Sequence, residues 1–384
     1  MIWSSESRFV RRETGLVGRW WWTVDHGLLA AVAILVIMGV LLSVSASPFV
    51  AMKIGYDRFY FVKRHLFWLP MALGVMFFSS LLSAQRLKTL SIILFVCGLF
   101  ALLGVLFVGR EIKGASRWLS FAGLSLQPSE FVKPAFAVVV GGLLSEQQEE
   151  RDLFGVKLSL GLLAIVAGLT LSQPDVGMTF VLTAAYIIQI FVAGMPLLWA
   201  VLAVLAGVLG LSAAYMWVPH VTKRVDAFLH PELGDPDQMY QIRQSLEAFH
   251  HGGWFGCGPG EGIVKRLVPD AHSDFVFAVA GEEYGWLFCM VLVLVFAFLV
   301  IRSLFLALKK QDLFVTFSVA GLASQLGLQA FINMSTTINL IPTKGMTLPF
   351  VSYGGSSLLA VGLGMGMILA LTKKQHGLVE DRTQ

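Results

Sequence analysis

The chain has 384 residues, 56% of them hydrophobic and 14% charged, against about 45–50% and about 25% in ordinary soluble domains. With a mean hydropathy of +0.75 and apolar stretches from end to end, one core or one anchor cannot use the excess, so a water-soluble globule is excluded and the bilayer is the main solvent. The balance of 28 Lys and Arg against 24 Asp and Glu, a formal net charge of +4, is too slight to indicate nucleic acid or a polybasic membrane-surface protein.

Taken in chain order, the polar stretch Ser4–Arg19 is too long for a cleavable signal, and the first apolar run after it reads as a retained helix. Spans are expected at Gly27–Ala46, Leu66–Leu82, Leu90–Val108, Phe131–Leu144, Val156–Leu171, Val176–Val192, Leu197–Val218, Phe275–Ile301, Thr316–Asn333 and Leu348–Leu371. The expected fold class is an all-α polytopic integral membrane protein with about ten transmembrane helices and a large extracytoplasmic loop. An even number puts both termini on one side. Pro128, Pro134 and Pro174 interrupt or bound the fourth to sixth spans, and such helices are tolerated only against protein or a wet cavity. The organisation is a tail at 1–26, a membrane domain at 27–371 with the long loop at 219–274, and a tail at 372–384. Lys and Arg divide evenly between the two faces, so charge alone leaves the orientation open.

The loop is far above the usual connection of about 4–6 residues, and loops of that size tend to be functional. It holds an expected helix at Met239–His250, then a glycine cluster from Gly252 to Gly262 around Trp254 and Phe255. That cluster lacks the ending of a phosphate loop and follows no strand, so it reads as close-turning backbone. Cys97 and Cys289 lie in apolar runs and Cys257 in the loop, which gives no disulfide framework. His250, His251, Cys257 and His272 match no familiar zinc spacing. Gly362, Gly364 and Gly366 in the last span permit tight helix packing.

All the polar oddities are expected on the face of the long loop. They are Arg117 beside Trp118, Glu130 with Lys133, Asp175 after Gln173-Pro174, Lys344, and the run Ser352–Ser357. Charges at a bilayer edge are costly unless they pair or line a cavity, so they mark a site. Glu130 and Lys133 also suit a local i,i+3 ion pair, and Arg117 an interfacial anchor. The sharpest group is Pro269-Asp270-Ala271-His272-Ser273-Asp274-Phe275 leading to Glu282 and Glu283. Asp274 there is either the N-cap of the next helix or a general base at a wet membrane surface.

Read together, Ala115-Ser116-Arg117-Trp118, Gln127-Pro128-Ser129-Glu130-Phe131-Val132-Lys133, Gln173-Pro174-Asp175, Tyr240–Leu246, His272-Ser273-Asp274-Phe275 and Pro349–Ser357 resemble the SEDS family (shape, elongation, division and sporulation) over nearly the whole chain after Trp22. Within it, Pro342–Pro349 looks like the division-type members. Ser273 replaces the family's threonine and keeps the hydroxyl, whereas Ser116 stands where many relatives carry lysine.

The resemblance implies a peptidoglycan glycosyltransferase of the bacterial inner membrane, with cytoplasmic termini, acting at the division site. It would polymerise lipid II, the undecaprenyl-pyrophosphate-linked disaccharide-pentapeptide, onto a nascent glycan chain. Asp274 would take the acceptor hydroxyl proton. Arg117, Lys133, Arg224, Arg243 and Lys344 would offset the leaving pyrophosphate, with a divalent cation, Mg2+ or Mn2+, able to share that task. Glu130, Asp175, Gln244, Ser245, Ser352, Gly354, Gly355 and Ser356 complete the expected substrate contacts, and His272, Ser273, Glu282 and Glu283 support the base. Implied partners are a class B penicillin-binding transpeptidase, other division proteins and membrane lipid. Two readings compete, a lipid II flippase and a division scaffold. A flippase calls for ionisable groups through the full membrane depth, and the spans after Tyr284 and Leu348 are nearly free of charge.

Overall fold

The computed structural model describes residues 15–112, 115–121, 124–150, 154–217, 219–229, 236–342 and 344–374. In chain order it forms α1 (Leu16–Thr23), α2 (His26–Lys53), α3 (Tyr60–Ser80), α4 (Ala84–Val108), a sheet of β1 (Arg110–Ile112), β2 (Ala115–Phe121) and β3 (Leu124–Leu126), then α5 (Pro128–Glu150), α6 (Phe154–Ser172), α7 (Val176–Val192) and α8 (Leu197–Trp217). After these come α9 (Pro219–Leu229), α10 (Pro236–Gly252), α11 (Val276–Leu308), α12 (Leu313–Thr337) and α13 (Gly355–Thr372). Each expected span coincides with a helix. Among the described residues, seven helices (α2, α3, α4, α6, α11, α12 and α13) are long and apolar enough to cross a membrane. The others are α7, with only 17 residues, α8, and α5, which carries Glu130, Lys133 and Pro134.

Short polar caps start these helices. The Asp25 carboxylate accepts from the Leu28 N–H at 3.0 Å and also pairs with Arg302 at 2.7 Å, which ties α2 to α11. Ser83, Asp175 and Asp312 cap α4, α7 and α12 in the same way. The Lys374 N–H donates to the Thr23 carbonyl, so the end of α1 and the residues after α13 lie together.

Two helices form the centre. The apolar windows of α12 and α13 are 78% buried, against 28% for α4, α6 and α11, whose outer faces are left for lipid. Small residues let α13 and α3 approach closely. A Cβ at Gly362 would lie 2.5 Å from the Ala72 carbonyl, and one at Gly366 would meet Ser79 and the Met76 carbonyl. Gly364, expected to share this role, instead faces Pro134 at an ordinary 3.6 Å.

Two features depart from the sequence reading. The all-α expectation gains a small antiparallel sheet in the order β1-β2-β3 between α4 and α5; its strands are three, seven and three residues long, too short for a periodic signal. The loop gains a second helix, α9, before the expected one, which itself runs Pro236–Gly252. The terminal tails fall largely outside the described residues, as do Gly114, Thr343 and 230–235 of the loop.

The loop closes on a break in α11. Gly285 has φ 78° and ψ 179°, and the helix resumes after it. The Cys257 and Gly258 N–H groups donate to the Glu282 and Glu283 carbonyls at 3.0 and 3.1 Å. The Trp286 and Leu287 N–H groups donate back to Gly253 and Trp254. A Cβ at Gly252 or Gly256 would stand about 2 Å from a carbonyl of α11, so only glycine admits this pairing. Glu282, with no exposed surface, accepts from the N–H groups of Ile263, Val264 and Lys265 at 2.7–2.8 Å. Glu283 pairs with buried Lys265.

The α3–α13 contact gives a direct test. Gly366→Val should destabilise the protein by about 1–3 kcal/mol, seen as a lower thermal midpoint in detergent, whereas Gly364→Ala should leave the midpoint unchanged or raise it.

Candidate active site

A groove of about 840 Å3 opens between α7, α8, α9 and the segment that joins α12 to α13. Its wall is apolar, with Val176, Phe180, Met216, Val225, Ile332 and Ile341. Its cations are Arg117 from β2, Arg224 from α9 and Lys344 from the α12–α13 segment. The sheet missed by periodicity thus positions one of them. Arg117 donates from Nε to the Gln173 carbonyl at 3.3 Å and from Nη2 to the Pro174 carbonyl.

Asp175 lies beneath these cations, 3% exposed. Lys344 Nζ donates to its Oδ1 at 2.6 Å, Arg117 Nη1 stands 3.8 Å away, and the Met178 N–H donates to it as the helix cap. Burial alone would raise the Asp175 carboxyl, but Lys344 and Arg117 outweigh it and hold the group below the usual carboxylate range. Burial lowers the Lys344 ammonium against the pull of Asp175, and Arg117 and Arg224 lower it further. Arg224 is lowered by burial and by Arg117, with Asp175 and Asp274 opposing. Gly177 makes the pairing possible, because a Cβ there would lie about 2 Å from three atoms of the Lys344 side chain.

Asp274 reaches the same cluster from the long loop. Its carboxylate lies over Gly345, where a Cβ would stand 2.5 Å from Oδ2, and within electrostatic reach of Arg224. Phe275, and not Asp274, holds the N-cap position of α11, and the Phe275 side chain makes no capping bond. The backbone leading to it is fixed at three successive carbonyls. The His272 carbonyl accepts from the Tyr353 N–H at 3.0 Å, the Ser273 carbonyl from Ser352 Oγ at 2.5 Å, and the Asp274 carbonyl from Asn333 Nδ2 at 2.9 Å. His272 is sandwiched near Phe61 and Tyr353, with ring centroids 4.3 and 5.5 Å away. Ser352 and Tyr353 follow a turn in which Phe350, 1% exposed, adopts φ +62°. That turn packs on α2 at Gly39, where a Cβ would be 2.5 Å from the Phe350 carbonyl.

Other expected residues lie elsewhere. Glu130 and Lys133 form the local ion pair at 2.8 Å, buried, and Lys133 also donates to Gln329 Oε1 at 2.7 Å. Gln329 donates to the Thr347 carbonyl at 3.0 Å, and Ser357 joins Glu130 to Thr347. The pair therefore braces the Lys344–Ser357 segment from below. Arg243 is exposed in a second groove with Glu247, His250 and Asn339. Gln244 and Ser245 are buried under α10, where Ser245 Oγ donates to the Thr337 carbonyl. Gly355 packs against Trp68 beside Gly354 and buried Ser356 at the start of α13. Glu282 and Glu283 hold the loop to α11. Sequence reasoning missed Asn333, Gly177, Gly345 and Gln329. Polar Asn333 and Gln329 within an apolar span were the available signal.

Among the described residues, the one group with metal-ligand spacing is His251, Cys257 and Glu282. A thiol and an imidazole do not suit Mg2+, and both Glu282 oxygens already accept backbone N–H groups.

A family model described as a cell cycle protein, covering FtsW, RodA and SpoVE, matches residues 26–377. The chain is 43% identical to the probable peptidoglycan glycosyltransferase FtsW of Caulobacter vibrioides (strain NA1000 / CB15N), over 96% of this chain and 94% of that one. It is 37% identical to the protein of the same description from Saccharophagus degradans, over 88% and 89%. Among solved structures, a chain from a peptidoglycan synthase complex that coordinates polymerization and crosslinking superposes with a TM-score of 0.76 at 29% identity, over 91% and 97%. The rod shape determining protein RodA of Thermus thermophilus gives 0.65 at 30% identity, over 92% and 97%.

The Lys344–Gly177 contact predicts coupled stability. Gly177→Ala should cost about 1–3 kcal/mol in the wild-type background and less beside Lys344→Ala, because the three atoms nearest the added methyl all belong to the lysine. Thermal melting of the two single variants and the double variant in detergent measures the difference.

Proposed function

The chain belongs to the FtsW, RodA and SpoVE family of cell cycle proteins, and from that membership and the groove we propose that it is a peptidoglycan glycosyltransferase that polymerises lipid II into glycan strands. One observation carries the assignment: the Asp274 carboxylate lies over Gly345, next to Lys344, and in the field of Arg224, two of the cations that line an apolar groove. A polyprenyl pyrophosphate has that chemistry, an anionic head on an apolar tail.

In this reading the tail lies along Phe180, Met216, Val225 and Ile332, open to lipid between the short α7 and the exposed α8. The pyrophosphate meets Arg117, Arg224 and Lys344. Asp274 accepts the proton of the acceptor sugar 4-hydroxyl as that oxygen attacks the anomeric carbon of the growing chain, with inversion. The bond from that carbon to the pyrophosphate oxygen breaks, and undecaprenyl pyrophosphate leaves with charge already offset by the cations. Asp175 cannot itself attract the pyrophosphate; it holds Lys344 and Arg117 in place. Ser273 keeps its hydroxyl on the Asp270 carbonyl, at the turn before Asp274.

The setting follows the family. The protein is a multi-pass membrane protein. Placement at the division septum of the inner membrane, cytoplasmic termini, and association with a class B transpeptidase and other division proteins belong to the proposal. The flippase reading has less support. The buried Glu130–Lys133 pair borders a cavity of only about 30 Å3, room for about one water, which is no passage for a disaccharide.

Purified protein with its transpeptidase partner and labelled lipid II tests the reaction. Wild type should yield a ladder of glycan strands, while Asp274→Ala and Asp274→Asn should lose about 10²-fold or more of the rate with the same melting midpoint. Normal polymerisation by Asp274→Ala together with failed leaflet transfer in vesicles would replace this reading by the flippase; no glycan strands and no leaflet transfer from folded wild type with its partner would leave a scaffold. Arg224→Ala should lower kcat by about 10²-fold, whereas Arg243→Ala, in a separate groove, should change it little.

A further inference from the structure

Asn333 lies at the end of α12, fully buried. Its Nδ2 donates to the Asp274 carbonyl at 2.9 Å and to the Met346 carbonyl at 2.5 Å. An amide nitrogen carries two hydrogens, so one group serves both acceptors. The acceptors belong to different segments. The first ends the long loop. The second follows Lys344, which heads the groove, and Gly345, against which the Asp274 carboxylate rests.

Further anchors of residues 272–273 come from Ser352 and Tyr353, beyond the Phe350 turn. Those bonds fix the height of the loop end but do not touch residues 344–346. Asn333 grips the Asp274 main chain and the lysine-bearing segment together. It rides on α12, among the most buried helices of the bundle, so the point of attachment is rigid.

We propose that Asn333 is a positioning residue for glycosyl transfer, setting the separation between the Asp274 carboxylate and the cations that receive the leaving pyrophosphate. The inference rests on the reading of Asp274 as proton acceptor. Proton removal at the acceptor oxygen and charge growth at the leaving oxygen occur at opposite ends of one transition state, so their spacing governs the rate. A misplacement of about 1 Å can cost roughly a hundredfold. Asn333 does not face the groove, so its loss acts on the bound complex and leaves substrate affinity in place.

The test uses the full-length protein with its transpeptidase partner and a lipid II concentration series, with rates expressed per folded molecule. Asn333→Leu keeps roughly the volume and removes both donors; Asn333→Ser leaves one hydroxyl donor for one carbonyl. The expected result is a kcat lowered roughly a hundredfold in Asn333→Leu and roughly tenfold in Asn333→Ser, with KM for lipid II within about threefold of wild type. A purely structural role would lower the melting midpoint and the folded yield without moving kcat per folded molecule. The inference falls if Asn333→Leu turns over at the wild-type rate, or if KM rises while kcat is kept. Should Asn333→Leu fail to fold, Asn333→Ser decides by the same split. Asp274→Ala run in parallel separates the two claims: activity in that variant defeats the base assignment, whereas an inactive Asp274→Ala beside wild-type Asn333 variants defeats only the positioning role.

Discussion

The site depends on the fixing of a loop end by its own carbonyls. A loop of more than fifty residues would ordinarily leave its last side chain mobile, yet the carbonyls of His272, Ser273 and Asp274 are each held by a different donor. Two donors come from the turn around Phe350 and one from α12. Such a turn, with a buried non-glycine residue at positive φ, costs of order 1–3 kcal/mol. Close packing against Gly39 holds it in place. The local strain and the glycine in α2 thus belong to one arrangement whose product is a carboxylate with a defined position.

The second constraint is the broken helix. At the edge of a membrane an unpaired backbone group costs several kcal/mol, and a break at Gly285 would leave four such groups. The glycine-rich stretch 252–258 supplies their partners in a short pairing with α11. Glu282 then gathers three further N–H groups from the next turn of the loop. The long loop is therefore folded onto the bundle from both ends. Its acidic residues divide by role: Glu282 and Glu283 turn inward to hold the loop, and Asp274 faces the groove head.

Electrostatics explains why a groove headed by three cations contains a buried aspartate. Arg117, Arg224 and Lys344 repel one another in a partly desolvated setting, and burial lowers the proton affinity of Arg224 and Lys344. Asp175 offsets that repulsion and keeps the cations converged before any ligand arrives. The residual positive charge acts on a phosphate without reorganisation, which is the condition for strong transition-state stabilisation. The Glu130–Lys133 pair serves a comparable end deeper in the bundle, where through Gln329 and Ser357 it steadies the segment that carries Lys344.

Much of this was legible in the residue order. Length and hydropathy determined a polytopic helical bundle, since about 20 apolar residues have no stable alternative to a spanning helix. The motif run identified the family and singled out Asp274 as the candidate base, and the glycine cluster announced tight backbone turns. Tertiary structure alone decided which cations act together, because the positions of Arg117, Arg224 and Lys344 are separated by over a hundred residues and converge only through β2, α9 and the α12–α13 segment. It also separated Lys133 and Arg243 from that cluster, revealed the short strands that carry too little periodicity to be seen, and gave Gly364 a different neighbour from Gly362 and Gly366. The division has a physical reason: burial in lipid acts on each segment by itself, whereas electrostatic convergence and main-chain locking depend on distances between segments, which no local pattern encodes.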